Sequence, residues 1–415
     1  MNTFTIIFLI ALIISSTVQF WLSKRQANYV AKHRSAVPDA FKTKVTLDAH
    51  QKAADYTLAK VKLGGIDGVI SIVLLLLMTL GGVINAIFEG YSTVITTPLF
   101  AGVAATATVF FLLTLVEIPS SLYQTFVIEE KFGFNKSSIA QFAKDQLLHL
   151  ALGAAIGLPF LALILWIMDN VGSTWWLWAW GIIMGFSLLM SWLYPTVIAP
   201  LFNKFTPMDE GSLKDRIQGL LARCGFNSQG IFIMDGSKRS GHGNAYFTGL
   251  GNNKRIVFFD NLVNSLDDEE LEAVLAHELG HFKCKHVIKM LIATSIMSLI
   301  SLGVLGWLID QDWFYTGLGV DIAQKSHATA LLLFLLVSST FTFFMQPISA
   351  YFQRKFEFEA DDFAANNAQA TKLISGLVKL YEENANTLTP DPLYSAFHYS
   401  HPPAAIRIAH LESKV

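Results

Sequence analysis

Apolar residues gather in runs long enough to cross a bilayer. The runs are Phe4–Leu22, Val69–Ile87, Phe100–Leu122, Leu147–Met168, Trp175–Leu193, Val287–Leu308 and Thr329–Phe344, the last continuing to about Tyr351. A helix of about 20 apolar residues covers the hydrocarbon core, so each run predicts a spanning helix. No basic segment precedes the first run and Lys24-Arg25 follows it, which predicts a retained helix rather than a cleaved leader. Pro119, Pro195 and Pro200 fall near span ends or kinks, which a membrane bundle tolerates. The pattern predicts a mainly α, polytopic membrane protein.

Between and after the runs lie two long polar regions, which organise the chain. Residues 1–202 hold spans one to five with polar connections at 23–62 and 123–146. Residues 203–286 form a first polar part, 287–352 spans six and seven, and 353–415 a second polar part. The 23–62 connection carries Lys24, Arg25, Lys32, Arg34, Lys42, Lys44, Lys52, Lys60 and Lys62, whereas Glu89–Thr97 has no Lys or Arg and Asp310–His327 only Lys325. By the positive-inside rule both polar parts face the cytoplasm and the N-terminus faces out. Separated by two spans and on one side, they are expected to fold together.

Composition narrows the picture. The chain is 53% hydrophobic and 15% charged, with a mean hydropathy of +0.45, which excludes an ordinary soluble domain. A net charge of −2 without a long basic run excludes nucleic acid as partner. Two cysteines, Cys224 and Cys284, make no disulfide framework.

In the first polar part, Glu210–Cys224 reads as a helix ending at Gly225. Gly230–Asp235 reads as a short strand before the Gly- and Ser-rich loop Gly236–Gly243. Ala245–Thr248 and Arg255–Phe259 read as strands joined through Gly249–Asn253. A small mixed sheet therefore precedes the segment His277-Glu278-Leu279-Gly280-His281, an HExxH motif. Residues i and i+4 of a helix share a face, so His277 and His281 can hold one metal ion, with Glu278 placed to take a proton from a metal-activated water. Ser265 as N-cap, the acids of Asp267–Glu272, and the apolar Leu271, Val274, Leu275 and Leu279 set the motif inside a helix.

Zinc needs a third protein ligand. His286 sits one residue off the spacing of the HExxHxxGxxH pattern, where Val287 stands, and reads as an interfacial histidine. A Cys284 thiolate would compete with the open water position. A glutamate from a later helix is the other solution, and Glu357-Phe358-Glu359-Ala360-Asp361 offers one. Glu357 and Asp361 are one helical turn apart, so the first can bind metal while the second fixes a histidine tautomer. Glu359 is the fallback ligand, and a solvated acidic face is what such a cluster means when it stands alone.

These residues resemble the integral-membrane CAAX prenyl endopeptidases, the a-factor-converting zinc metalloproteases. The likeness rests on HELGH running into a span, Arg354–Ala364, Asp235–Phe247, Ser400-His401-Pro402-Pro403 with Arg407, and Glu129–Lys136. The resemblance implies seven long helices around a water-filled intramembrane chamber, capped by a small α+β gluzincin-like zinc domain on the cytoplasmic side. It implies one Zn²⁺ per chain on His277, His281 and Glu357, Glu278 as general base and acid, and Asp361 behind a ligand. His401 is similar to the family's oxyanion-stabilising histidine. Asn244 with Ala245, Tyr246 and Phe247 resembles its substrate edge, and Arg407 its substrate-side or structural arginine. Glu117, within the third span, would either face the chamber or make a helix-packing hydrogen bond.

The expected activity is therefore zinc-dependent endoproteolysis near a substrate's C-terminus, by resemblance removal of three residues after a prenylated cysteine. Expected partners are a peptide or protein substrate, prenylated if the resemblance extends that far, and the lipid bilayer. A bacterial inner membrane is the expected residence, or the endoplasmic reticulum if the source is eukaryotic. Three other readings compete. One is a quality-control protease without prenyl substrates. Another is a site-2-type intramembrane protease, disfavoured by the charges of Asp268–Glu272 and Lys283 around the motif. The third is a transporter or scaffold built on a protease-like fold.

Overall fold

The computed structural model describes residues 2–248 and 254–415, so the expected connection Gly249–Asn253 lies outside the described residues. Among these, 7 helices are long and apolar enough to cross a membrane: Thr3–His33, Leu47–Met78, Pro98–Phe132, Ile139–Asn170, Gly172–Phe202, His286–Leu308 and His327–Asn367. Most far exceed the bilayer requirement, because the helical backbone continues where apolar side chains stop. The polar connection at 23–62 is accordingly mostly helix, with only residues 34–46 between the first two spans. That segment drives Phe41 and Val45 into the core of the polar domain, tying bundle to domain.

One expected span is corrected. Val69–Ile87 is not a single helix: the second helix ends at Met78, and Val83–Val94 forms a separate one. Gly82 makes the break with φ +77, a conformation only glycine adopts freely. Proline effects are local, as Tyr194–Ile198 widens to a π-helical turn with Pro195 near its start and Gln124–Glu129 does so past Pro119.

The spans pack loosely. Of the most apolar stretch of the second and sixth helices only 6% is buried, so their surfaces face lipid or internal space. A cavity of about 820 Å³ opens between the first, second, third and seventh spans. Glu117 lines its wall, exposed and without a hydrogen-bond partner among the described residues, which favours the chamber-facing alternative.

The polar parts combine into one domain at one end of the bundle. A 4-stranded mixed sheet has the order β1-β2-β4-β3, with β1 Phe205–Pro207, β2 Ile231–Met234, β3 Ala245–Thr248 and β4 Arg255–Phe259. Strand β1, which the sequence pattern did not suggest, pairs antiparallel with β2, β2 runs parallel to β4, and β3 closes an edge antiparallel to β4. Helices Ser212–Arg223, Asp268–Lys283 and Ala370–Glu383 pack with the sheet around Ile217, Leu220, Ile256, Phe258, Leu275 and Leu373.

The motif helix starts at Asp268, so its N-cap is Asp267 and not Ser265. The Asp267 carboxylate accepts from Glu270 N at 2.8 Å while Glu270 Oε2 accepts from Asp267 N at 2.9 Å, a reciprocal capping box. Glu270 is otherwise buried, and its charge is met by Lys379 at 2.7 Å and Ser375. Ser265 instead ends a short helix, Asp260–Ser265.

The motif helix crosses the helix Gln346–Asn367, the continuation of the seventh span into the polar domain, at Gly280. A Cβ on Gly280 would lie 2.8 Å from Ala360 Cα and 3.0 Å from its carbonyl oxygen, so only glycine permits this approach. Gly280→Ala must push the helices apart, and overpacking of this kind costs about 1–3 kcal/mol. We expect a lowered unfolding transition in detergent. An unchanged transition would show that the crossing tolerates a wider gap.

Candidate active site

The Gly280 crossing brings three side chains together. His277 Nε2 and His281 Nε2 lie 3.2 Å apart, Glu357 Oε1 lies 3.3 Å from His281 Nε2, and Glu357 Oε2 lies 3.5 Å from His277 Nε2. Tetrahedral zinc with bonds near 2.0–2.1 Å separates its nitrogen ligands by about 3.3 Å. Glu357 is buried, and its Oε2 has no hydrogen-bond partner, an arrangement that a cation would relieve. Donor type, spacing and the orphaned oxygen all fit a metal ion held by His277, His281 and Glu357.

Behind each histidine stands a carboxylate. His277 Nδ1 lies 2.8 Å from Asp361 Oδ1, and Arg407 Nη2 lies 3.0 Å from the same nitrogen and 3.1 Å from Nε2. Asp361, fully buried, is gripped by two parallel hydrogen bonds from Arg407, at 2.8 Å from Nε and 2.7 Å from Nη2. Burial alone would lower the Arg407 pKa, but the hydrogen bond and charge of Asp361 outweigh it and raise it. Burial and the Arg407 charge likewise depress His277, and the neighbouring Asp361 and Glu357 carboxylates reverse this, raising it to about 9 in the metal-free protein. Arg407 also reaches Glu357 Oε2 at 3.5 Å, so its guanidinium is committed behind the cluster, although it borders the cavity in front.

His281 is oriented through a relay that the sequence reading missed. Its Nδ1 lies 3.0 Å from His286 Nδ1, and His286 Nε2 lies 2.9 Å from Glu359 Oε2, which Lys289 pairs at 3.2 Å. With Glu359 accepting from His286 Nε2–H, neutral His286 accepts at Nδ1, and His281 Nε2 is left to face the metal cluster. His286 is buried and stacked on Phe356 at 4.3 Å. Its position five residues after His281 was the available signal, but His286 was weighed as a ligand or an interfacial histidine and not as a partner of His281.

The cluster opens onto a cavity of about 680 Å³ whose wall includes His277, Glu278, Asn244, Ala245, His401 and Arg407. Glu278 is half-buried and makes no hydrogen bond or ion pair among the described residues, so its carboxylate is free to take up a proton. His401 Nε2 lies 3.5 Å from Glu357 Oε1 across the cavity, and Nδ1 lies 2.9 Å from Ser400 Oγ. Its side chain is 63% exposed to the cavity, yet the surrounding protein disfavours the charged ring and lowers its pKa, with Glu357 opposing.

Strand β3 is the sheet edge nearest the cluster. Its far side pairs with no strand among the described residues, so its main chain is available to an extended peptide. Only Asn244 and Ala245 of the expected substrate stretch border the cavity. Phe247 packs edge-on against Phe226, and Tyr246 meets Phe259, so these side chains serve the domain. The Gly-rich loop before β3 is pinned by the Glu129–Lys136 stretch. Gly241 N donates to Phe134 O at 2.8 Å, and Arg239 pairs with Asp145 at 2.7 Å. The motif helix lies in the domain core rather than within an apolar span, which sets aside the site-2-type reading.

Comparison with known proteins agrees with this geometry. Residues 26–204 match the model of the CAAX prenyl protease N-terminal region, described as five membrane helices, and residues 207–415 match peptidase family M48. CAAX prenyl protease 1 homolog of Dictyostelium discoideum is 35% identical over 404 residues, covering 95% of this chain and 94% of the relative. CAAX prenyl protease 1 of Saccharomyces cerevisiae is 37% identical over 347 residues, covering 80% and 76%. The crystal structure of S. mikatae Ste24p superposes with a TM-score of 0.92 at 31% identity, covering 99% of each chain. With a single membrane-spanning architecture and an HExxH domain matched end to end, this chain belongs to the CAAX prenyl protease family of M48 metallopeptidases, and is a membrane metalloprotease.

Proposed function

We propose that this protein removes the C-terminal tripeptide of prenylated CAAX proteins, using one zinc ion held by His277, His281 and Glu357. The observation that carries the reading is the convergence of three ligand atoms, one an orphaned buried carboxylate oxygen, beside a cavity bordered by a free strand edge. Zinc, when bound, supplies a Lewis acid that acidifies water and polarises the scissile carbonyl. Glu278 takes the proton of the attacking water and returns it to the leaving amine. His401, across the cavity from Glu278, offers Nε2–H to the oxyanion. The β3 edge from Asn244 onward aligns the peptide by main-chain hydrogen bonds. Asp361 with Arg407, and His286 with Glu359, hold the two imidazoles in register.

Orientation follows the charge asymmetry of the connections, so the active site faces the cytoplasm, where the C-terminus also lies. The prenyl chain extends into the space between the spans.

Zinc content and cleavage of a farnesylated CAAX peptide test the assignment. Glu278→Ala is expected to retain stoichiometric zinc and lose about 10²- to 10⁴-fold in kcat. Glu357→Ala is expected to lose both zinc and activity. Zinc without cleavage of this peptide in the wild-type protein would keep the metalloprotease and discard the prenyl substrate.

Metal affinity should also depend on pH with a defined sign. The metal-free His277 pKa is raised from 6.5 to about 9, so the ring is protonated below that value and metal must displace the proton. In the metal-free protein, the stability from protonated His277 is fully present below pH 6.5 and is lost as pH rises through about 9. Apparent zinc affinity should fall roughly tenfold per unit as pH drops below 9. Calorimetry in buffers of different ionisation enthalpy should show proton release on binding at pH 7. A pH-independent affinity between 7 and 9 would refute the raised value.

A further inference from the structure

Of the charged residues bordering the catalytic cavity, Glu278 and Arg407 are accounted for, and Lys60 is not. Lys60 lies on the second helix, and Thr57, Lys60, Val61 and Gly64 all border the cavity. The spacing i, i+3, i+4, i+7 is one helical stripe, so Lys60 is part of a face directed at the cavity. Its ammonium lies 4.1 Å from the centre of the Tyr56 ring, and among the described residues it makes no ion pair. The carboxylate next to this group, Glu129, is already occupied by Tyr56 and Gln124 at 2.6 Å each and by His242 at 3.3 Å. Lys60 is thus a cation whose surroundings hold it in place without neutralising it.

Its location relates it to the substrate edge. Tyr56 Oη lies 3.4 Å from His242 Nε2, and His242 precedes Asn244, where the free edge of β3 begins, by two residues. Lys60 stands one turn of helix from Tyr56, at the Asn244 end of β3. A peptide added antiparallel to β3 brings its C-terminal end to this side. Three extended residues beyond the scissile bond span about 10 Å. The only charge that every such substrate must carry is its terminal carboxylate.

We propose that Lys60 binds the α-carboxylate of the substrate and thereby sets the distance of cleavage from the C-terminus. The inference rests on the C-terminal endoprotease reading and specifies how that site measures its substrate. A charge-assisted hydrogen bond inside a cavity discriminates an anion from its neutral isostere, here a C-terminal acid from the amide. Tyr56 preorients the ammonium by a cation–π contact.

The test compares one farnesylated CAAX peptide as free acid and as C-terminal amide, with wild type, Lys60→Met and Lys60→Arg. Wild type should favour the acid by about 10- to 100-fold in kcat/KM, carried mainly by KM. Lys60→Met, which keeps the apolar stem, should bring the acid down to the level of the amide and leave the amide unchanged, while Lys60→Arg retains a preference for the acid. Equal losses on both peptides in Lys60→Met would overturn the proposal and assign Lys60 to the support of Tyr56 and Glu129. Equal cleavage of both by wild type would also overturn it while leaving the protease reading intact. If wild type cleaves neither peptide, the prenyl-protease reading fails instead, and binding of acid against amide to Glu278→Gln, with and without Lys60→Met, still decides the carboxylate question.

Discussion

The contact between Gly280 and Ala360 is where the membrane bundle, the polar domain and the metal cluster meet. One helix carries His277 and His281 and belongs to the domain core, while the other carries Glu357 and continues from the seventh span. A side chain at position 280 would collide with main chain rather than with a movable side chain, so the gap is set by backbone and not by rotamer choice. Glutamate reaches the imidazoles only because the helices approach this closely. The site is therefore built where the two polar parts of the domain meet at the end of the bundle, and neither part holds all three residues.

Such a junction must be rigid, and the charged residues behind it explain how. Asp361 and Arg407 form a buried bidentate pair, which is costly to desolvate and pays off only if its remaining groups are engaged. Here they are: Asp361 lies 2.8 Å from His277 Nδ1, and Arg407 reaches Glu357, so the pair joins the motif helix, the Glu357 helix and the C-terminal helix Ala404–Glu412 at one point. On the opposite flank, His286 and Glu359 join the motif to the start of the sixth span and again to the Glu357 helix. Each imidazole is thus fixed from behind by a carboxylate on the same helix, Asp361 directly and Glu359 through His286.

Much of this was legible in the sequence because helical spacing is a local rule. His277 with His281, and Glu357 with Asp361, are each one turn apart, and local spacing suffices to put each pair on one face. The seven spans were legible from apolar runs, but their polar extensions were not, because a helix continues past the bilayer wherever domain packing supports it. The end of the second span was misread because hydropathy does not register a glycine in the left-handed region, and Gly82 breaks an apolar run without interrupting its apolarity. Strand β1, only 3 residues from Phe205 to Pro207, is too short to show a period and exists by pairing with β2. The steric demand at Gly280 and the His281–His286–Glu359 relay depend on contacts between distant segments, which no single-chain periodicity encodes.

The arrangement of cavities follows from the same loose packing that sets this bundle apart from a soluble core. The catalytic cavity and the space between the spans share Gln19 and Gly64 as common walls, one from each of the first two helices. Gly64 has nothing within 4 Å of where a Cβ would stand, so the wall is open at that point. The two adjoining spaces differ in character, one flanked by Leu12, Leu75 and Leu113 and the other by the β3 edge and polar side chains. Intramembrane polar groups such as Glu117 are then tolerable because they face that interior rather than lipid. Loose packing, which would be a defect in a soluble domain, here leaves internal space that adjoins the cavity at the end of the bundle.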